Sequence, residues 1–218
     1  MLKQYSVIFG LTADPIHLGH EQAIINGIRY LRELNITIKE FVLIPVYQPN
    51  LIANKKSPKA SFTQRLEMCH IVASRLSKKT HDSIMVCDIE KLIANTTGEN
   101  NYSLKTIKHL NKKNCLFMVS SDHFQGRWPK FRKWFGWKDI LNHSGLLINH
   151  RPGNKINKRF IEELRGLNPD VYLIEKQKSI DTSSSYIRAN LHKTDMSNHL
   201  SQDILELIKD EGLYLPAN

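Results

Sequence analysis

Six short apolar runs recur along this chain, and each is continuous instead of alternating between apolar and polar residues. They lie at 7–9, 41–44, 84–86, 116–119, 146–148 and 171–174. A strand that is covered on both faces has this pattern, because neither face carries solvated side chains. The feature therefore restricts the chain to folds in which a parallel sheet lies between two layers of helices.

The segments between these runs have helical spacing. One apolar face comprises Ala23, Ile24, Ile28 and Leu31, a second comprises Leu66, Cys69, Val72, Ala73 and Leu76, and Leu205, Ile208 and Leu213 mark a closing helix and its end. Alternating strands and helices predict an α/β doubly wound parallel sheet of about six strands, since crossover connections are right-handed. We expect a single domain over residues 1–218, with a C-terminal helical part at roughly 183–214.

Composition limits the class of partner. The chain has 218 residues and a formal net charge of +10, which predicts an anionic partner. No apolar run approaches the ~20 residues that a membrane span requires, and the N-terminus lacks the pattern of a signal peptide. Cys69, Cys87 and Cys115 form no C-x-x-C pair and no disulfide framework, so we expect free thiols and a cytoplasmic protein.

The segment FGLTADPIHLGH at residues 9–20 follows the first predicted strand and opens the first predicted helix. In an open α/β sheet, ligands bind at the carboxyl ends of the strands, close to such turns. Gly10 permits a tight turn or the close approach of a ligand to backbone N–H groups. His17 and His20 are three residues apart at a helix start, so both imidazoles can face one anion beside the positive end of the helix dipole. Gly19 leaves room there for a phosphate.

Two other interpretations of this turn are weaker. A single histidine is usually a satisfied surface or core residue, but two histidines together with Gly10, Thr12 and Pro15 at these spacings favour an anion site. A His-x-x-His pair supplies only two ligands to zinc, and no third is evident. We therefore predict no metal site built by the protein itself.

A second candidate phosphate site lies in IDTSSSYIRANL at residues 180–191, after the last predicted strand. Ser183, Ser184 and Ser185 can cap a helix and donate hydrogen bonds to phosphate oxygens. Arg188 lies three residues past Ser185 on the same face, and its planar guanidinium suits a triphosphate. Taken alone, a serine run before a helix is most often a capping motif.

The middle of the chain offers further candidates. Asp122 ends the run CLFMVSSD, where a carboxylate can accept hydrogen bonds from ribose hydroxyls or cap a helix. The segment at 127–141 contains all three tryptophans and five Lys or Arg residues. This composition is compatible with stacking on single-stranded nucleic acid, with one tryptophan stacking on a flat ring, or with simple packing of aromatic side chains.

GLTADPIHLGH resembles the G-G-T-F-D-P-x-H-x-G-H signature of the nucleotidyltransferase superfamily, and IDTSSSYIR resembles its I-S-S-T-x-I-R motif. Within that superfamily the chain is similar to the bacterial nicotinate-mononucleotide adenylyltransferases along essentially its whole length, which implies their Rossmann-like fold. Several positions depart from the family pattern. Leu11 and Ala13 replace Gly and Phe of the first motif, Thr182 and Ser185 replace Ile and Thr of the second, and Ser120 replaces Gly of G-x-D.

The resemblance implies a role for each candidate. His17, His20 and Arg188 would be catalytic. ATP and its phosphates would be bound by Gly10, Thr12, Gly19, Lys55, Lys56, Asp122, Ser184 and Ser185. The mononucleotide would be bound by Tyr102, Ser103, Trp134 and Arg151, with Trp134 stacking on the pyridine and Trp128 and Trp137 as substitutes. Ser103 is equally compatible with an ordinary helix N-cap.

The resemblance implies adenylyl transfer from ATP to nicotinate mononucleotide, which would yield deamido-NAD and pyrophosphate. The nucleophile is already an anion at pH 7, so the expected mechanism is positioning and charge stabilisation. The resemblance implies Mg²⁺ on the triphosphate. We expect ATP and nicotinate mononucleotide as partners, without a membrane or nucleic acid, and a homo-oligomer stays open.

Two alternatives stay open at this stage. The acceptor could be nicotinamide mononucleotide or another phosphorylated compound. A catalytically degenerate nucleotide- or RNA-binding module is compatible with the departures at Leu11, Ala13 and Ser120, although the intact histidines and Arg188 oppose it.

Overall fold

The computed structural model describes residues 3–48, 57–98, 101–151, 153, 155–175 and 177–215. Its strands are β1 (Gln4–Leu11), β2 (Thr37–Pro45), β3 (Ile84–Val86), β4 (Cys115–Ser120), β5 (Gly145–Asn149) and β6 (Val171–Ile174). Its helices are α1 (Leu18–Glu33), α2 (Phe62–Thr80), α3 (Ile89–Thr97), α4 (Ser103–Leu110), α5 (Trp137–His143), α6 (Lys158–Leu167), α7 (Ser184–Asn190) and α8 (Gln202–Asp210). Two short 3₁₀ turns, Ser121–His123 and Lys130–Lys133, follow β4.

The six strands form one parallel sheet in the order β3-β2-β1-β4-β5-β6. This confirms the predicted doubly wound fold, and each apolar run of the sequence lies within one strand. From β1 the chain proceeds outward through β2 and β3, and then returns to the other side of β1 with β4. Because the strand order reverses between β1 and β4, the loops at their carboxyl ends diverge and leave a crevice there.

The sheet is apolar on both faces because successive side chains of a strand point to opposite sides. Val7 and Phe41 pack in the core layer that contains α1, α2 and α8, whereas Ile8 and Val42 pack in the layer that contains α4, α5 and α6. All four side chains are buried. The two layers explain why these strands read as continuous apolar runs.

The predicted helix faces are buried as well. All of the α1 set and all of the α2 set except the half-buried Leu66 are buried. In the closing set, Ile208 and Leu213 are buried and Leu205 is half-buried. Helix α2 begins with a capping box, in which the Ser61 hydroxyl accepts from the Gln64 N–H at 3.2 Å and the Gln64 side chain accepts from the Ser61 N–H at 2.8 Å. The capping box therefore fixes the start of α2, with Ser61 as its N-cap.

Helices α7 and α8 lie within the predicted C-terminal part, and the extent of the single domain stays a prediction. Arg75 of α2 connects three helices, since it forms ion pairs at 2.7 Å with Glu21 of α1 and with Asp203 of α8. The three cysteines are free, and burial raises the pKa of Cys69 and of Cys115 to about 12. Among the described residues, no helix is both long and apolar enough to cross a membrane.

Candidate active site

A cleft lies at the carboxyl ends of β4 and β5, beside the first turns of α1. Its lining comprises His17, Gly19, Gln22, Ala23, Asn26, Asp122, Asn149, His150, Arg151 and residues 178–182. The fold thus brings together four residues that the sequence singled out, namely His17, Gly19, Asp122 and Arg151. They come from three separate strand–loop junctions, as expected for a ligand site in a doubly wound sheet.

The turn between β1 and α1 has an unusual backbone. Gly10 lies within β1 and not in the turn, so of the two expected roles the tight turn is excluded and the close approach of a ligand stays a prediction. A Cβ at Gly10 would meet only Phe117, at 3.8 Å, so a ligand can approach the strand closely at this point. Leu11 packs in the hydrophobic core instead of lining the cleft. Ala13 has a left-handed φ of 55°, and the peptide bond between Asp14 and Pro15 is cis.

The two histidines of the turn contact each other. Their rings are stacked, with centroids 3.7 Å apart. The backbone N–H of His17 donates to Nδ1 of His20 at 3.3 Å. Because Nδ1 accepts this bond, a neutral His20 carries its proton on Nε2, which can then donate to a phosphate oxygen. Nδ1 of His17 is buried without a hydrogen-bond partner in the described part of the chain.

The surroundings of both histidines favour the neutral imidazole. Burial, together with the nearby Arg151 and His199, lowers the pKa of His17 to about 3. Burial and the charges of His17 and Arg151 hold the pKa of His20 well below its ordinary value. A polyanion bound here would oppose these effects, because negative charge beside an imidazole favours the protonated form.

The serine-rich motif packs directly on this turn. Ser183 caps α7, and its hydroxyl accepts from the Tyr186 N–H at 3.2 Å. The Ser184 hydroxyl donates to the Pro15 carbonyl at 2.9 Å. The two candidate phosphate motifs are therefore adjacent, although they are far apart in the sequence.

Arg188 is engaged by the same turn. It forms an ion pair with the Asp14 carboxylate at 3.2 Å, donates to the Asp14 carbonyl, and donates to Ser185 Oγ at 3.4 Å. Direct phosphate binding by Arg188, Ser184 and Ser185 stays a prediction.

Asp14 is a buried residue that the sequence interpretation missed. Its carboxylate accepts hydrogen bonds from the backbone N–H groups of Lys59 and Ala60, at 2.9 and 3.0 Å, and from the Tyr214 hydroxyl at 3.0 Å. It therefore connects the turn to the residues before α2 and to the C-terminal segment. No local pattern signals this role, because the partners lie 45 to 200 positions away.

Asp122 lies in the 3₁₀ turn that follows β4, so it is not the N-cap of an α-helix. Burial alone would raise its pKa, but the Ser120 hydroxyl and the charges of His123 and Arg151 lower the pKa of Asp122 below its ordinary value. The backbone N–H of Arg151 donates to the Ser121 hydroxyl at 2.9 Å, which joins the loops after β4 and β5. Asp122 thus stays ionised and can accept hydrogen bonds from a ligand.

Of the four predicted mononucleotide residues, Arg151 lines this cleft, whereas Tyr102, Ser103 and Trp134 do not. Tyr102, and not Ser103, is the N-cap of α4, and Ser103 is its first helical residue. The Tyr102 ring packs against Phe135 with centroids 4.7 Å apart. Trp134, which precedes Phe135, packs edge-on against His123, the residue after Asp122, with ring centroids 5.0 Å apart.

The other two tryptophans have different surroundings. Trp137 packs against Phe160, with centroids 5.9 Å apart, and Arg132 lies over its ring. Trp128 is 74% exposed. The position of Trp134 beside His123 favours it as the stacking residue, and this role stays a prediction. Lys55 and Lys56 lie outside the described residues.

A model of the cytidylyltransferase-like family matches residues 8–190, which include the whole of the cleft. The chain belongs to the cytidylyltransferase-like family. A probable nicotinate-nucleotide adenylyltransferase of Aquifex aeolicus is 30% identical over 190 residues, which cover 82% of this chain and 98% of that relative. A probable nicotinate-nucleotide adenylyltransferase of Psychromonas ingrahamii is 29% identical over 235 residues, covering 98% and 99%. These likenesses place this cytidylyltransferase-like chain among the nicotinate-nucleotide adenylyltransferases.

Solved structures agree on the fold. Plasmodium falciparum nicotinic acid mononucleotide adenylyltransferase, in a complex with NaAD, superposes with a TM-score of 0.71 at 24% identity, and 97% of each chain is covered. A shorter local match, to a probable nicotinate-nucleotide adenylyltransferase of Hydrogenovibrio crunogenus, is 28% identical over 68% of this chain and 63% of that relative.

The sequence analysis of this cytidylyltransferase-like protein also missed Gln22, Asn26 and Asn149, which line the cleft. Gln22 donates to Asn26 Oδ1 and Asn26 donates to the Lys178 carbonyl, each at 2.8 Å. This relay connects α1 to the segment after β6. Asn149 Oδ1 is buried without a hydrogen-bond partner in the described part of the chain. The one available signal was Asn26, a polar residue among the apolar positions of α1.

Metal ligands are not clustered. In the described ranges, no group of three or more His, Cys, Asp or Glu side chains is arranged to hold a metal ion. The residues that line the cleft include two histidines, Arg151 and Lys178, together with the carboxylates of Asp122 and Asp181. The basic members of this set suit an anionic ligand.

Proposed function

We propose that this chain transfers the adenylyl group of ATP to nicotinate mononucleotide, releasing deamido-NAD and pyrophosphate. The observation that carries the proposal is the convergence of His17, Gly19, Asp122 and Arg151 on one cleft beside the start of α1. Relatives at 29% and 30% identity carry the name of this activity. The motifs match at His17, Gly19 and Asp122, which line the cleft, and depart at Thr182, which also lines it.

The chemistry requires no general base. An oxygen of the 5′-phosphate of the mononucleotide attacks the α-phosphorus of ATP, and a new P–O bond forms. The bond from the α-phosphorus to the bridging oxygen breaks, and pyrophosphate leaves with the electron pair. Positioning, and stabilisation of charge at the α-phosphate of the transferred adenylyl group, therefore supply the rate enhancement.

The phosphates are bound by His20, His17 and Arg151. His20 is not among the residues that line the cleft, but it stacks on His17, which does, and its neutral ring carries its proton on Nε2 because Nδ1 accepts the His17 N–H. The N-terminus of α1 adds its positive dipole end. These donors are fixed before substrate arrives, which makes them effective towards charge that develops in the transition state.

Asp122 and Arg188 serve the remaining parts of the nucleotide. The ionised Asp122 accepts hydrogen bonds from ribose hydroxyls. Arg188 rests against Asp14, and its side chain is 26% exposed, so its guanidinium can also reach an anion at the start of α7. Mg²⁺ enters as part of the substrate, bound to the triphosphate.

Trp134 is the expected stacking partner of the pyridine ring. Trp134→Ala should mainly raise the KM for nicotinate mononucleotide, by about tenfold for the loss of one stacking contact. Trp128→Ala is the control, since Trp128 is 74% exposed. A larger effect of Trp128→Ala would move the stacking role to that residue.

A substrate panel tests the proposed function. The purified chain is given Mg-ATP with nicotinate mononucleotide, nicotinamide mononucleotide or neither, and pyrophosphate release and the dinucleotide product are measured. We expect turnover with the nicotinate compound above that with the amide. Absence of transfer to either acceptor, with steep salt-dependent binding of single-stranded RNA, would overturn the proposal in favour of a binding module.

A further inference from the structure

Thr182 is the departure from the second motif that the structure explains. The motif has Ile at this position, whereas Thr182, which lines the cleft, carries a hydroxyl. Thr182 Oγ1 lies 3.0 Å from Nδ1 of His199 and forms a hydrogen bond with it. His199 belongs to the segment between α7 and α8, which no motif of the sequence singled out.

Both partners lie against the first turn of α1. The Thr182 methyl is so close to Gly19 that a Cβ there would approach it to 3.0 Å. The carbonyl of His199 accepts from the Leu18 N–H at 2.9 Å. His199 is therefore fixed to the helix that carries both active-site histidines, and its ring reaches back to a residue that lines the cleft.

The hydrogen bond between Thr182 and His199 can run in two directions. If Nδ1 accepts, the threonine proton points at His199 and an oxygen lone pair faces the cleft, which repels a phosphate. If Nδ1 carries a proton and donates, the threonine O–H is free to donate elsewhere. A bound phosphate selects the second direction, because a hydroxyl hydrogen bonds to an anion only as the donor.

We propose that His199 is a positioning residue that directs the Thr182 hydroxyl towards the phosphates of the bound nucleotide. The inference rests on the proposed function for the identity of the ligand. Thr182 touches the ligand, and His199 acts through Thr182. The geometry that carries this assignment is the 3.0 Å contact, the place of Thr182 in the cleft lining, and the attachment of His199 to α1.

A purely structural role for His199 is the competing explanation. Its ring packs against Tyr186 with centroids 5.0 Å apart, and its neighbours Met196 and Leu200 are buried. A structural role predicts a loss of thermal stability, whereas a positioning role predicts a loss of polyphosphate affinity that depends on Thr182. The two explanations therefore separate in a double-mutant cycle.

The experiment uses His199→Leu, His199→Asn, Thr182→Val and the double variant His199→Leu/Thr182→Val. Binding of inorganic pyrophosphate is measured by calorimetry, together with kcat, the KM for ATP and the melting temperature. His70→Leu, an exposed residue of α2, is the matched control. Calorimetry with pyrophosphate does not require turnover, so failure of the proposed function and failure of this inference are distinguishable.

We expect His199→Leu and Thr182→Val each to weaken pyrophosphate binding by about 10- to 100-fold, the range for one hydrogen bond to a charged group. His199→Asn, whose amide can still donate, should recover most of the affinity. In the Thr182→Val background, His199→Leu should cause no further loss. An unchanged affinity of His199→Leu, or an equal loss in both backgrounds, would overturn the inference.

Discussion

His20 is the residue whose chemistry the structure defines most closely. Its Nδ1 accepts the His17 N–H, so the proton of the neutral ring lies on Nε2. The sequence predicted two imidazoles facing one anion, and the structure stacks their rings at 3.7 Å. The direction of the proton followed only from the backbone contact, because the spacing of two histidines does not specify which nitrogen is occupied.

Loss of the His20 imidazole should abolish most of the catalysis. His20→Ala should lower kcat by ~10² or more, the effect of removing one electrostatic donor from the transition state. The melting temperature, compared with that of His70→Ala, shows whether the fold is retained. Near-normal turnover in a folded His20→Ala protein would exclude the assigned role.

The two histidines also predict how stability depends on pH. The pKa of His17 falls from 6.5 in the unfolded chain to about 3 in the folded protein. Between pH 6.5 and pH 3 the unfolded chain therefore binds more protons than the folded protein does. The contribution of His17 to the free energy of unfolding is present above pH 6.5 and is lost as the pH falls towards 3. We expect the free energy of unfolding to decrease from pH 7 to pH 5, by up to ~1.4 kcal/mol per pH unit for each such group.

Urea unfolding at pH 7 and pH 5 measures this decrease, and saturating pyrophosphate should reduce it because a bound anion favours the imidazolium. Asparagine does not titrate, so the free energy of unfolding of His17→Asn should depend less on pH. Equal pH dependence in His17→Asn and the unaltered protein would contradict the prediction.

The start of α1 is the element on which the other parts of the site converge. The Leu18 N–H is bound by the His199 carbonyl, and the Pro15 carbonyl by the Ser184 hydroxyl. Asp14 adds contacts from the start of α2 and from Tyr214. The C-terminal segment is thus part of the site, a conclusion that its helical pattern alone did not provide.

Two glycines test how closely the elements pack. A Cβ at Gly145, the first residue of β5, would lie 2.3 Å from the Asp170 carbonyl oxygen, which is backbone and cannot move aside easily. Gly145→Ala should therefore destabilise the fold by about 1–3 kcal/mol, the typical cost of overpacking.

The matched control is Gly166 in α6, where a Cβ would meet nothing within 4 Å. Gly166→Ala should stabilise the protein by ~0.5–1 kcal/mol, because alanine loses less backbone entropy in a helix. Chemical denaturation of both variants measures whether each substitution lowers or raises the free energy of unfolding. A neutral Gly145→Ala would show that β5 and the residues before β6 are not in close contact.

The net charge of +10 acts at the scale of the whole molecule. Arg151 lines the cleft, whereas Lys158 and Arg159 lie exposed on α6 and do not line it. A positive surface around an anion site raises the rate at which polyanions arrive, and salt screens this effect. We therefore propose that the positive charge near the cleft aids substrate capture, whereas the basic face of α6 is not explained by the cleft.

The corresponding prediction concerns ionic strength. The kcat/KM for ATP should fall as KCl rises from about 0.05 to 0.5 M, mainly through KM, because the Debye length shortens from over 10 Å to a few ångströms. Steady-state rates at constant free Mg²⁺ measure it. A fall in kcat alone, with KM constant, would point to the chemical step and contradict electrostatic steering.

The sequence by itself determined the sheet, the helix faces and the place of the turn between β1 and α1, because hydrophobic periodicity and short motifs are local properties of the chain. All six apolar runs lie in strands, and His17, Gly19, Asp122 and Arg151 converge as their positions after strands imply. The tertiary structure alone decided the contacts of Asp14, Asn26, Thr182 and His199. Their partners come from distant segments, and no periodicity in the sequence records which side chains folding brings within 3 Å of each other.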